Sequence, residues 1–323
     1  MAEKAVAQRL KQRRVNIAHR QARPRFAAMT LTLPAVPPFS LPSVARSHGW
    51  LRLAPFAADE HGARISRVER LHSGRVVELV IQEANRGVTV DVSSKTSQTE
   101  LDEVADKVTW MLGLDQDLSA FYAMARPEPR LAQVEDLAQG RVLRSPTVFE
   151  DVVKTILTTN TSWSGTIRMV EALVSQFGDP LPEDPSRRSF PTPGQLAALD
   201  VQTLRSVARL GYRAPYVLEL ARGVASGDLD LESLQTTGDP TEPVRAGLLD
   251  IKGVGAYSAA NLLILMGRYE YIPVDSWARK LVAHEWHDGQ PVGDAEVEAA
   301  FNRWGKWKGL AYWFWDWSYR SSE

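Results

Sequence analysis

Cysteine is absent from all 323 residues. Disulfides, thiolate zinc sites and cysteine-held iron–sulfur clusters are therefore excluded. No apolar run is long enough to cross a bilayer, and no secretory signal opens the chain. The expectation is a cytoplasmic protein without a membrane partner. His72, His284 and His287 stand at no metal-ligand spacing with acids, so no required cofactor is expected. Net charge is small, −1, but uneven. Residues 1–29 hold eight Lys or Arg against one acid, Glu3, which is +7 and leaves −8 on residues 30–323. This stretch lacks a helical period and is broken by Pro24, which predicts a disordered basic tail. A hold on phosphates, a targeting segment and an over-long start before Met29 all remain open for it.

Residues 30–48 carry Pro34, Pro37, Pro38 and Pro42 and read as an extended lead-in. A β-meander follows. Gly49 to Phe56 reads as a strand with Leu51 and Leu53 on one face. Ile65 to Leu71 turns at Ser73-Gly74 into Arg75 to Ile81. Val88, Val90 and Val92 alternate with Thr89 and Asp91, the pattern of a half-buried antiparallel strand. Ser97 and Glu100 form a capping box before the stripe Leu101, Val104, Val108 and Met111, a helix suited to cover the sheet. Asp115 to Met124 reads as a second helix, and Arg126-Pro127-Glu128-Pro129 breaks it. From Leu131 the pattern is all-helical. Thr147 or Ser145 can cap a helix that ends in the polar turn Thr158-Thr159-Asn160-Thr161-Ser162. Residues 179–195 read as a Pro-rich connector, with Thr192-Pro193 opening a helix. Thr241 is the expected cap of a later helix with Pro243 in its first turn. Leu310, Trp313 and Trp317 share a face and are expected in the core. The fold class is α+β: a lead-in over 1–44, an antiparallel sheet domain with helices over 45–128, and an all-α domain over 129–323.

Within that last domain, Leu248 to Ala260 reads as a helix end, a Gly253-Val254-Gly255 hairpin and a new helix from about Ala256 to Met266, stopped by Gly267. The helix–hairpin–helix unit spans about 241–266. Without Cβ bulk, its turn leaves backbone N–H groups open to an anion such as a DNA phosphate. Pro273-Val274-Asp275 then returns one carboxylate beside the second helix. Asp275 can also cap the helix that starts at Trp277-Ala278-Arg279.

Hairpin and carboxylate together resemble the helix-hairpin-helix DNA glycosylase superfamily, in particular 3-methyladenine DNA glycosylase II and 8-oxoguanine DNA glycosylase. The likeness covers most of residues 45–318, including Ser189-Phe190-Pro191-Thr192-Pro193 and Gly211-Tyr212-Arg213-Ala214. It implies a monomer acting on double-stranded DNA with damaged bases. Asp275 is then the catalytic carboxylate. Tyr257, Trp277 and Trp163 stack on the extruded base, Asn160 fills the vacated gap, and Arg213 contacts the orphaned partner base. Gly165 stands where the 8-oxoguanine enzymes have a second Arg. Lys252, Gly253, Val254 and Gly255 hold phosphate. The backbone carbonyls of Leu249, Ile251 and Val254 hold a monovalent cation, Na+ or K+. Strand-cleaving members carry a Lys at position 257; Tyr257 has no amine, so the expectation is a monofunctional glycosylase that leaves an abasic site. An aromatic residue there leans toward alkylated purines, while the Gly-Tyr-Arg stretch leans toward oxidised ones. A non-catalytic DNA-binding helix–hairpin–helix protein is the third reading.

Overall fold

The structure, a computed structural model, describes residues 29–316. The basic stretch before Met29 and the expected core residue Trp317 lie outside them. Five strands make one antiparallel sheet: β1 (Met29–Pro34), β2 (Phe56–Ala58), β3 (Arg64–Arg70), β4 (Val76–Ala84) and β5 (Gly87–Val92), in the order β1-β5-β4-β3-β2. Val77, Leu79 and Ile81 alternate with Val88, Val90 and Val92 on the buried face. Two short helices, α1 (Leu41–Ala45) and α3 (Ser119–Ala125), flank α2 (Gln98–Leu112), which covers that face with Leu101, Val104, Val108 and Met111. Ser97 and Glu100 close the predicted capping box at the start of α2.

Two sequence expectations change in this lobe. The extended lead-in is itself an edge strand, β1, paired with β5 from Met29↔Val92 to Pro34↔Gly87. Gly49 to Phe56 is not a strand: Gly49–Arg52 is a single 3-10 turn, and β2 begins only at Phe56. The burial of Trp50 and Leu53, three apart, fits a turn of helix rather than alternation.

The second lobe runs α4 (Val148–Thr158), α5 (Trp163–Phe177), α6 (Pro193–Ala197), α7 (Val201–Ser206), α8 (Ala214–Ser226), α9 (Thr241–Asp250), α10 (Ala256–Leu265), α11 (Ser276–Trp286), α12 (Asp294–Ala300) and α13 (Lys308–Phe314). It is not wholly helical. The Pro-rich connector folds into a small hairpin, Pro180–Leu181 with Asp184–Arg188. Thr147 caps α4 through Glu150 N, and Thr192 closes a capping box on α6. Thr241 does not cap α9. Pro240 holds the cap position, and Thr241 Oγ1 donates to Glu270 Oε1 at 2.8 Å.

A buried charge cluster fastens the lobes. Arg67 on β3 bonds Glu69 at 2.8 Å and Glu150 on α4 at 3.0 Å, and Lys154 reaches Glu150 at 2.6 Å. Burial alone would raise the Glu150 carboxyl, but Arg67 and Lys154 hold it at about 2. The next residue, Asp151, accepts from Trp50 Nε1 at 2.7 Å and Ser145 N at 3.0 Å on the same Oδ1. Its burial outweighs those bonds and lifts it to about 6.

Candidate functional site: a cleft beside the hairpin

The α9–α10 connection is the predicted hairpin. Ile251 N donates to Leu248 O, and Val254 N donates to Ile251 O at 3.0 Å, which closes the turn. Gly253 takes φ +90°, and a Cβ there would lie 2.8 Å from the Tyr216 ring, so both strain and bulk require glycine. Gly255 differs: its φ is −98°, and nothing of the protein lies within 4 Å of a Cβ built there. Backbone strain therefore does not explain Gly255. It precedes α10, whose first turn has no side-chain cap. The free N–H groups at that helix start face no competing side-chain acceptor.

Asp275 begins α11. Its Oδ1 accepts from Ala278 N at 2.7 Å, the predicted cap, and Oδ2 takes no protein hydrogen bond among the described residues. One oxygen is thus fixed while the other is free to face a ligand. Asp275 lines a cleft of about 760 Å³ together with Tyr257, Trp163, Asn160 and Gly255, so five of the predicted site residues meet in one place. The Tyr257 phenol is pushed up by desolvation and then by the charge of Asp275, and stays a hydroxyl.

Asn160 closes the turn between α4 and α5 at φ +48°, a left-handed position that Asn tolerates better than most side chains. Its amide donates to the Tyr212 hydroxyl at 3.3 Å, and its side chain is exposed. Arg213 lies elsewhere than expected. It is only 6% exposed, and its guanidinium donates to the carbonyls of Thr159 and Asn160 beneath that turn. It supports the Asn160 turn rather than presenting a free cation to a base. A side chain at Gly165 would displace the Thr161 hydroxyl, because a Cβ there would overlap it.

Trp277 is 40% exposed on α11 and does not line the cleft. Lys252 is an exposed pair with Glu219 at 2.8 Å. Such a pair is worth little in water, so the ammonium can leave it for a stronger anion. Among the described residues no group of His, Asp and Glu is arranged to hold a metal ion. No helix among them is long and apolar enough to cross a membrane.

Sequence reasoning missed the part of the cleft wall that comes from the sheet lobe and the last helix. His48, Gly49 and Trp50 enter from the sheet lobe, and Trp313 enters from α13. Trp313 was expected in the core; it is half-buried and donates from Nε1 to Ser47 O at 3.0 Å. The Trp163 ring lies against Gly49 so closely that a Cβ at 49 would overlap it. The signal was the His-Gly-Trp run itself, which read as one more strand start.

An uncapped hairpin helix beside a cleft with one half-free carboxylate fits the helix–hairpin–helix arrangement expected from the sequence. Residues 153–311 match the sequence model of the HhH-GPD superfamily base excision DNA repair protein, and the chain belongs with these DNA glycosylases. A probable N-glycosylase/DNA lyase of Methanothermobacter thermautotrophicus is 27% identical over 242 residues, 67% of this chain and 73% of that protein. A DNA-3-methyladenine glycosylase of Bacillus subtilis is 25% identical over 186 residues, 57% of this chain and 61% of that one. The fold is similar to the solved structure of MBOgg1 in complex with low affinity DNA ligand, with TM-score 0.71, 22% identity, and coverage of 93% of this chain and 98% of that one.

Proposed function

We propose that this chain is a monofunctional DNA glycosylase that extrudes an alkylated purine from double-stranded DNA and hydrolyses its N-glycosidic bond. The observation that carries the reading is the single carboxylate of Asp275, held by its cap at the cleft wall with Oδ2 free. A damaged base inside a duplex is shielded by stacking and must be swung out to be reached. The uncapped α10 start and Lys252 grip the phosphate beside the lesion, and Asn160 on its exposed turn fills the gap. As the glycosidic bond breaks, positive charge builds on the sugar. A fixed carboxylate there stabilises that charge, and water completes the hydrolysis.

Tyr257 stands at the position where strand-cleaving relatives carry Lys, and its hydroxyl cannot form a Schiff base. The Bacillus subtilis relative, named for 3-methyladenine, agrees with an alkylated substrate. So do the aromatic walls, since electron-poor alkylated rings gain from stacking on Trp and Tyr faces. Oxidised purines are the second reading, favoured by Gly211-Tyr212-Arg213, but Arg213 is buried under the Asn160 turn. The carbonyls of Leu249, Ile251 and Val254 border the hairpin turn. Ile251 O accepts one bond from Val254 N and retains a second lone pair, so the turn fits a monovalent cation such as K+.

Asp275→Asn tests the reading. Its amide oxygen can keep the Ala278 bond, so the fold and DNA affinity should hold. Excision of 3-methyladenine from a duplex should fall by about 100-fold or more. Unchanged excision would sink the catalytic assignment. A borohydride-trapped adduct, or nicking of an abasic strand by the wild type, would sink the monofunctional one.

A further inference from the structure

His48 lines the same cleft as Asp275 and Tyr257. Its Nε2 lies 2.6 Å from Leu143 O. A carbonyl only accepts, so Nε2 must carry the proton, and in the neutral ring Nδ1 then presents a lone pair. Nδ1 has no partner among the described residues. The ring is held in place by Trp50, with centroids 4.7 Å apart, and by Trp313 at 5.8 Å. Trp50 is in turn tied to Asp151. Tautomer and orientation are both set before any ligand arrives. Burial lowers the imidazole to about 4 against the pull of the Leu143 bond, with the charge of Lys154 assisting. No Lys or Arg stands among the described residues of the cleft wall. A neutral acceptor is therefore built into an aromatic wall that carries no cationic side chain among the described residues.

We infer that His48 reads the extruded base, accepting through Nδ1 a hydrogen bond from an amino N–H on the base edge. Adenine-derived bases keep an amino donor where hypoxanthine carries a carbonyl. Two lone pairs facing each other disfavour the carbonyl form. The cleft thus selects 6-amino purines over 6-oxo purines. This rests on the glycosylase reading above and adds the class of base.

The test measures single-turnover excision of 3-methyladenine and hypoxanthine from duplexes of one sequence. His48→Gln places its amide N–H where Nε2 donated to Leu143 and offers nothing at Nδ1. It should lose about tenfold on 3-methyladenine and little on hypoxanthine. His48→Asn, whose amide oxygen can occupy the Nδ1 position, should recover most of the discrimination. Thermal unfolding of both variants separates loss of fold from loss of reading. Equal losses on the two bases, or a ratio unchanged in His48→Gln, would overturn the inference while leaving the glycosylase intact. If the wild type excises neither base, the proposed function itself falls, and this inference with it.

Discussion

Asp151, which is buried, and His48, which is half-buried, both pack against Trp50, and they titrate in opposite senses. In the unfolded chain Asp151 titrates at its ordinary value of 3.8, but in the fold only near 6. Between those values the native state alone keeps the proton, so this group makes the protein less stable as pH rises from about 4 to 6. His48 behaves as the mirror image. It stays neutral in the fold down to about 4, while the unfolded chain takes up a proton below 6.5. That group makes the protein more stable as pH rises through the same window. Each shift corresponds to about 3 kcal/mol, so the slopes nearly cancel in the wild type. Asp151→Asn keeps an acceptor for Trp50 and removes one slope. Its urea-unfolding free energy should climb more steeply than the wild type between pH of about 4 and 6.5. His48→Gln should instead decline with pH from about 4 to 6. Parallel curves for all three proteins would show that these groups do not carry the shifts assigned to them.

The helix–hairpin–helix element contains two glycines that serve different ends. Gly253 is in the left-handed region with the Tyr216 ring close by, so Gly253→Ala should cost stability, about 1–2 kcal/mol from backbone strain before the contact is counted. Gly255 meets nothing in the protein. Gly255→Ala should leave the melting temperature within a degree or two yet weaken duplex binding several-fold, because the new methyl stands over the uncapped N–H groups of α10. Fluorescence anisotropy beside a thermal melt separates the two; a Gly255→Ala protein with wild-type affinity would remove the phosphate from this helix start. The element was legible because its grammar is local: glycines at a turn, an apolar helix on each side, and an acid one residue before a helix. The cleft wall was not. His48 and Trp50 reach Leu143, Asp151 and Trp313 only after the two lobes meet, and no periodicity within residues 45–56 encodes such partners. Arg213 was misplaced for a related reason. A sequence shows that a cation is present but not that two carbonyls will claim it.

At the scale of the whole chain the problem is electrostatic. DNA is a polyanion, yet residues 30–323 carry −8. At long range this body repels its ligand, and Lys252 at the hairpin is already paired with Glu219. The +7 of residues 1–29 offsets nearly all of that charge within one short segment. Each phosphate neutralised contributes about 0.9 to the slope of log affinity against log salt. If the basic segment contacts DNA, changing its eight Lys and Arg residues to Gln in the full chain should flatten that slope by several units. Affinity at low salt should then fall far more than affinity at high salt. Single-turnover excision at saturating enzyme should stay the same, since Asp275 and the cleft lie in the described lobes. A slope identical to the wild type would mean that the segment does not contact DNA. The hairpin would then have to hold the duplex against the charge of its own body.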